Sequence, residues 1–497
     1  MAYVQSFRNQ NYLLPPNITD LFSQNHVCYL LEQITDELNY SSFDEQFAGA
    51  GHPAYHPRIL LKLLLMGYVD GLRSSRRIAK NAHENVVYIY LAEKTSPDFR
   101  TISDFRKNNT SLVKEVFKQL NLFALKHGLV DLSQLMIDGT VIKACANDEK
   151  VIDKATIDKL QKYIDQVIEE GIRTDEEEDA LLGNRGLHEM PKDLSDSEKR
   201  RPIVRKIVKE INTAIQQGKP EKTQAIKAAL EHAKQSMHDK QLTKFSFTDA
   251  DSRFMISKKG RFELGYNAQL VTDKTGMIIS GEVIAKSVDR GQLRFNIRCV
   301  EDTFGALPAG TKISADKGYQ NGEEMAALEQ HGFDLYIPVT CSDQKETDHL
   351  NFGRADFTYD EQQDVYVCPM NIPLRNRGTY LDGQSHQHRT TYISRVRDCK
   401  HCVHFAACCK DQRRKKISVG EHDKLFNRMR TKLRTTQGRA VYDLRKQTVE
   451  RSIGDIKHNR QFTHFLLRTH KNVATEFSLA CISHNIVLIN NRLRRAA

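Results

Sequence analysis

The sequence contains no tryptophan, no run of about 18 apolar residues and no basic-then-apolar pattern in its opening MAYVQSFRNQ. The missing tryptophan excludes nothing by itself. The other two absences argue against a membrane span and a secretory signal. The most apolar stretch, Ile59 to Val69, is short and carries Lys62, so it reads as a core helix. Ten cysteines are too sparse for a disulfide scaffold, and a reducing cytosol is expected. Internal repeats and low-complexity tracts are also missing.

Positive charge is what the chain has in excess. It carries 74 Lys and Arg against 63 Asp and Glu, a net charge of +11 with pI near 9.0. That balance favours a polyanionic partner and says nothing about fold. A length of 497 residues allows two to four domains and a sizeable core.

Residues 1–126 read as helical. The start signals are His56-Pro57 before ILLKLLLMGY, Ser74-Ser75 before RRIAKNA, and Thr101 before SDFRKNN. Short helices with Arg76, Arg77, Lys80, Arg100, Arg106 and Lys107 suit a DNA-reading helix-turn-helix. An ordinary helical bundle with a basic surface is the alternative. Residues 131–145 read as a strand through Asp138. Residues 150–240 read as an insertion of two or three long helices, for structure or self-association. It has stripes at Ile157, Leu160, Ile164, Val167 and at Ile203, Ile207, Ile211, Ile215, separated by TDEEEDALLGNRG.

The clearest α/β pattern follows in residues 241–340. RFELGYNAQLV alternates Phe262, Leu264, Tyr266, Ala268 and Leu270, the period of a half-buried strand. MIISGEVI is a second strand and DRGQLRFNIRCVEDTFG a helix. KISADKGY, with Asp316, is a strand, NGEEMAALEQHG a helix and FDLYIPV a last strand. Residues 341–440 form a second insertion. VYDLRKQTVERSIGDIKH, Val441 to His458, then reads as one helix with Glu450 in line with Lys446, Gln447 and Lys457.

Without its insertions the order is three strands, helix, strand, helix, strand, helix. That order matches an α/β, ribonuclease H-like fold: a mixed sheet with helices on both faces, assembled from residues 127–149, 241–340 and 441–497. Asp138 on the first strand and Asp316 at the end of the fourth become neighbours, and Glu450 joins them from the final helix. Singly, each aspartate reads equally well as a turn residue and Glu450 as a solvated helix face. Jointly they form a site. Three convergent carboxylates repel one another and call for cations. Their hard oxygens select two Mg²⁺ or Mn²⁺ ions, which can activate an attacking oxygen and stabilise a leaving one in phosphodiester chemistry. Lys446 and Lys457 would neutralise the phosphate.

In the second insertion Cys399 and Cys402 form a CxxC, with Cys408 six residues on and Cys368 before Pro369. This set suits a closed structural Zn²⁺ site, with Cys409, His401 or His404 as substitutes for one ligand. A disulfide pair or free thiols are the alternatives. The insertion reads as loop-rich with few apolar residues, which is why it would need such a staple. KDQRRKK, directly after the cysteines, reads as a DNA-backbone contact or a solvated run. Cys28, Cys145, Cys299, Cys341 and Cys481 read as buried small hydrophobes. The final VATEFSLACISHNIVLINNRLRR is an apolar helix with a basic end that packs the domain together.

The stretches IDGTVIKA, ELGYNAQLVTD, ISADKGYQN and RKQTVERSIGDIKHNR carry a resemblance. The chain resembles DDE transposases of bacterial insertion sequences, in the branch with a helical N-terminal DNA-binding domain and a cysteine-bearing insertion. The similarity spans nearly the whole chain and is weakest over residues 150–240. It implies Asp138, Asp316 and Glu450 as the catalytic triad, with Tyr266, Asn267 and Gln269 in support. The family's glutamate-to-lysine spacing is met by Glu450 and Lys457. Tyr442 and Arg445 stand one residue too far upstream of Glu450, which leaves Lys446 where the arginine is expected. The resemblance further implies double-stranded DNA as partner, both element ends and target, and a homo-oligomer, with a dimer able to handle two ends together. It places the protein in the bacterial cytoplasm, at the nucleoid when bound. A nuclease of the same fold that does not join strands, and a DNA-binding protein without catalysis, are the rival readings.

Overall fold

The computed structural model describes residues 17–38, 40, 55–165, 202–216, 220–256, 260–339, 352, 356–360, 362–381, 388–409 and 413–496. Val167, TDEEEDALLGNRG, Cys341 and the first residues of KDQRRKK lie outside them, as do the side chains of Ile203 and Ile215.

The N-terminal region is helical where described: α1 Val27–Asp36, α2 Pro57–Val69, α3 Ser75–Glu84, α4 Val86–Leu91, α5 Phe99–Asn108 and α6 Thr110–Lys126. Helix α2 starts at a proline, which has no N–H to waste at that position, and His56 caps it by accepting from Arg58 N at 3.1 Å. Its Lys62 is fully buried and pairs with Glu93 at 2.9 Å. Helix α5 starts three residues earlier than expected, because Asp98 and not Thr101 is the cap, accepting from Arg100 N and Thr101 N.

The central sheet is built on β1 Gln134–Lys143. Strand β5 Phe262–Asp273 runs antiparallel on one side and β7 Lys312–Ala315 parallel on the other. β8 Asp334–Tyr336 extends the sheet beyond β7, parallel to it. The far edge of β5 pairs with β6 Ile278–Ile284 and, nearer its start, with β4 Arg253–Ile256. The short strands β2 Val151–Asp153 and β3 Lys244–Ser246 close the base of the first insertion. Within it, helical residues 154–165, α7 Pro202–Gln216 and α8 Pro220–Asp239 have their own core of Ile157, Leu160, Ile164, Ile207, Ile211 and Leu230. Helices α9 Leu293–Phe304 and α10 Gly322–Gln330 follow β6 and β7.

The second insertion is not the loop-rich segment expected. It contains a five-stranded antiparallel sheet: β9 Thr358–Asp360, β10 Val365–Val367, β11 Pro373–Leu381, β12 His388–Ile393 and β13 Lys416–Gly420. Phe357, Tyr366, Leu374, Tyr392, Ile417 and Val419 form its small core. Strands β9 and β10 have only three residues, and β11, though nine long, is exposed along almost its whole length, so none of the three carries the alternation that marks a half-buried strand. Short helices α11 Val396–Lys400 and α12 Phe405–Cys409 hold the cysteines, and α13 Asp423–Arg434 leads out.

The expected single helix from Val441 to His458 is also broken. Helix α14 Thr436–Gln447 stops at Thr448, whose φ of −115° and ψ of −94° are not helical. Helix α15 Val449–Gly454 then resumes and passes into a π-helical turn, Asp455–Asn459. Adjacent β-branched residues weaken the helix here, and Thr448 Oγ1 donates back to Leu444 O at 2.8 Å.

The last helix, α16 His470–Ala496, is long and apolar enough to cross a membrane, yet most of its apolar window is buried. It packs on α6, β6 and α2, so the N-terminal helices and the sheet share one hydrophobic core. A polar clamp completes the join. Fully buried Glu476 accepts from Leu466 N at 2.9 Å, Leu467 N at 3.0 Å and Arg73 Nη1 at 3.3 Å. Burial pushes its carboxyl up, opposed by Arg106 and Arg73. Arg106 is therefore not the exposed DNA contact expected: it is buried and donates to Arg73 O at 2.8 Å. Deleting one partner of a buried ion cluster strands the others. Glu476→Ala should cost about 3–5 kcal/mol in chemical denaturation, with Glu476→Gln costing less; a cost under about 1 kcal/mol would rule out the clamp.

Candidate active site

The parallel ladder between β1 and β7 ends with the pair Ile137 and Ala315. The next residues are Asp138 and Asp316, so two strands part where the two aspartates stand. Crevices at the carboxyl ends of parallel strands are where α/β sheets place their ligands. Asp138 Oδ1 accepts from Gly139 N at 2.9 Å, and Asp316 Oδ1 accepts from Lys317 N at 2.7 Å.

Arg445 enters from α14 and lies between them. Its Nη2 is 3.3 Å from Asp138 Oδ2 and its Nη1 4.0 Å from Asp316 Oδ1. The guanidinium is almost wholly buried, and its Nη1 also donates to Tyr442 OH at 3.1 Å. The break at Thr448 explains how Arg445 reaches the site from a position one residue off the expected spacing. Lys446 points outward instead, exposed and 3.5 Å from Asp443, so it does not replace the arginine.

Glu450 is exposed at the start of α15. It stands close enough to act on Asp138 electrostatically. Burial is the largest influence on Asp138 and pushes its carboxyl up to about 6. Arg445 and the Gly139 N–H oppose the rise, while Asp316 and Glu450 add to it. Lys457 is anchored rather than free: its Nζ donates to Thr140 Oγ1 at 2.6 Å and Val141 O at 2.9 Å, pinning the π-helical turn to β1. Arg76 and Arg77 are exposed on α3, Arg76 over the Phe99 ring at 4.6 Å.

The three supporting residues of β5 divide between its faces, as neighbours on a strand must. Tyr266 donates to both carboxylate oxygens of Asp249 at 2.9 Å. Asn267 and Gln269 donate to Asp289 at 2.8 Å. Asp289 was not singled out in the sequence, where DRG reads as the start of a helix. The helix begins only at Leu293, and the signal that could have marked Asp289 is weak: an aspartate followed two residues later by Gly291 in a loop.

In the second insertion Cys368, Cys399, Cys402, Cys408 and Cys409 line one small cavity together with His404. The Ile372 N–H points at Cys368 Sγ at 3.3 Å, and Ser394 Oγ lies 3.0 Å from Cys399 Sγ. Every described cysteine is free. Among the described residues no three His, Cys, Asp or Glu side chains are grouped tightly enough to hold a metal ion, at the cysteines or at the acidic site. The donor types nevertheless fit: hard carboxylate oxygens for Mg²⁺ or Mn²⁺, thiolates for Zn²⁺.

Two family matches fall on the chain. Residues 16–108 match a transposase domain (DUF772), and residues 367–489 match a transposase DDE domain. The second match holds Arg445, Glu450, Lys457 and the four cysteines, but not Asp138 or Asp316. Among solved structures, a cryo-EM piggyBac transposase synaptic complex with hairpin DNA is similar at 10% identity and a TM-score of 0.29, over 95% of this chain and 73% of that one. No curated protein sequence matches.

The raised carboxyl of Asp138 has a measurable consequence. In the folded state it titrates near 6, against about 3.9 when unfolded, so its ionisation opposes folding. The cost is absent below about pH 4 and fully present above about pH 6. In EDTA, Asp138→Asn should therefore raise the thermal midpoint at pH 8, by the equivalent of about 1–3 kcal/mol, and leave it unchanged at pH 4. A lower midpoint at pH 8 would contradict the burial argument.

Proposed function

The two domain matches make this chain a DDE-type transposase, and from that premise we propose that it cleaves and joins DNA strands at the ends of an insertion sequence, with Asp138, Asp316 and Glu450 as its reacting site. The observation that carries the proposal is the end of the β1–β7 ladder, where both aspartates emerge side by side around Arg445. The strand order supports a ribonuclease H-like catalytic unit: β6, β5, β1, β7, β8, with β5 antiparallel and β7 parallel to β1. The proposed division of the chain keeps residues 127–149, 241–340 and 441–497 in that unit.

Asp138, Asp316 and Glu450 would hold divalent cations, which when bound would supply an activated oxygen nucleophile and charge neutralisation at the leaving oxygen. The chain's own residues set the stage. Arg445 holds Asp138 and Asp316 together despite their like charge, and its planar fork can turn a donor toward a phosphate oxygen as DNA arrives. Lys457 fixes the turn after Glu450 against β1, so the glutamate is presented from a braced segment. Exposed Arg76 and Arg77 would hold the duplex backbone, and exposed Lys446 the flanking DNA. Cys368, Cys399, Cys402 and Cys408 would hold a structural Zn²⁺ that ties α11 and α12 to the turn after β10. Two copies would be needed to bring two element ends together.

The test is a supercoiled donor plasmid carrying the element's ends, incubated with protein, Mg²⁺ and target DNA. Cleavage at the ends with joined products is expected, and Asp138→Asn should lower both by at least about 10³-fold. Cleavage without joined product would favour a nuclease, and undiminished activity in Asp138→Asn would reject the site. For the cysteines, metal analysis of the purified Cys399→Ser, Cys402→Ser protein should show loss of stoichiometric zinc. Zinc retained at one per chain would exclude this ligand set.

A further inference from the structure

We infer that Asp289 is a positioning residue for the acidic site, acting through Asn267, Gln269 and the glycines that follow the two aspartates. The inference rests on the reading of Asp138 and Asp316 as reacting-site carboxylates.

Asp289 lies in the connection between β6 and α9. Its carbonyl accepts from Gln292 N at 3.1 Å, turning the chain into the helix. The first N–H groups of α9, at Leu293 and Arg294, donate to the Glu324 carboxylate at 3.2 and 3.3 Å. The connection is thus tied down on its far side. The Asp289 side chain lies across β1 and β5. Its Oδ1 accepts from Asn267 Nδ2 and from Gln269 Nε2, both at 2.8 Å. These two amides share one face of β5 and stand opposite Val141 and Gly139 of β1.

Both motif glycines are shaped by this carboxylate. A Cβ on Gly139 would stand 2.4 Å from Asp289 Oδ1, closer than any real contact. A Cβ on Gly318 would stand 3.3 Å from Asp289 Oδ2. Gly139 directly follows Asp138, and Gly318 lies two residues after Asp316. One side chain therefore abuts the backbone just beyond each aspartate, on the face of β1 opposite the Asp138 carboxylate.

A second layer holds the first. Gln269 Oε1 accepts from Tyr319 OH at 2.6 Å and from Asn296 Nδ2 at 2.9 Å. Tyr319 is fully buried and ends the turn that begins at Asp316. With its N–H on Asp289 and its oxygen taken twice, the Gln269 amide has one allowed orientation. Removing the Asp289 acceptor would leave two buried amide donors, at Asn267 and Gln269, without their bonds. The Gly139 and Gly318 backbones would then lose the body they pack against, and the spacing of Asp138 and Asp316 would relax.

The test uses the full chain and reads Mn²⁺ binding without DNA, by EPR of the free ion, beside the thermal midpoint in EDTA. An asparagine at 289 still accepts from both amides; an alanine does not. Asp289→Ala should weaken Mn²⁺ binding by about tenfold or more, while Asp289→Asn stays within about threefold of wild type. Gly318→Ala, which asks for only a small shift, should weaken it to a lesser extent and serves if Asp289→Ala does not fold. A merely structural role would lower the midpoint without changing Mn²⁺ affinity. Unchanged affinity in Asp289→Ala and Gly318→Ala overturns the inference, and so does Asp289→Asn failing as badly as alanine, which would make Asp289 a ligand. If Asp138→Asn binds Mn²⁺ as wild type does, the underlying site assignment fails instead.

Discussion

The interaction on which the site depends is the ion pairing of Arg445 with Asp138 and Asp316. Two parallel strands deliver two aspartates to one crevice, where burial opposes the charge of Asp138 and the neighbouring Asp316 adds to the rise of its carboxyl. A buried guanidinium offsets that repulsion from the middle. It also couples the sheet to the helix that leads to Glu450, so the third acidic residue is placed by the same contact that makes the first two tolerable. Lys457 adds a second tie from beyond Glu450 back to β1.

The scaffold around this contact is one body rather than a string of modules. The C-terminal helix α16 is buried between the N-terminal helices and the sheet, and Glu476 binds Arg73 at its centre. A region that reads in sequence as a separate basic DNA-binding unit thereby shares its core with the central sheet. The same packing removes Arg106 from the surface and spends its charge inside. The two insertions, by contrast, have cores of their own.

Much of the fold was legible because its signals are local. The run Phe262 to Leu270 marks β5 as a strand, though it is buried on both faces from Leu264 on and Phe262 is exposed, and the leucine-rich run after Pro57 marks α2; Asp316 ends β7 as expected, whereas Asp138 stands mid-strand, since β1 continues to Lys143. Where strands shrink to three residues, as in β9 and β10, periodicity carries no information and the second insertion read as loops. In sequence the helix from Val441 reads straight through Thr448, because one β-branched pair does not announce a break. The one-residue offset before Glu450 puts Lys446 at the arginine's expected spacing, yet Arg445 faces the aspartates and Lys446 points outward. Asp289 is not legible locally, since its partners, Asn267, Gln269, Gly139 and Gly318, come from three other parts of the chain.

By itself the sequence determined which residues could be acids, thiols or core, and the order of the main central elements, β1, β5, β6, α9, β7, α10 and β8, since composition and periodicity are properties of short windows. The motif stretches that carry the resemblance to DDE transposases are local too, and the two transposase domain matches fall on 16–108 and 367–489. Only the tertiary structure decided which charge faces which. Arg445 rather than Lys446 meets the aspartates, Arg106 is buried while Arg76 is not, and Asp289 lies beneath both motif glycines. Such pairings depend on helix direction and strand register, which long-range packing sets and no single stretch of chain contains.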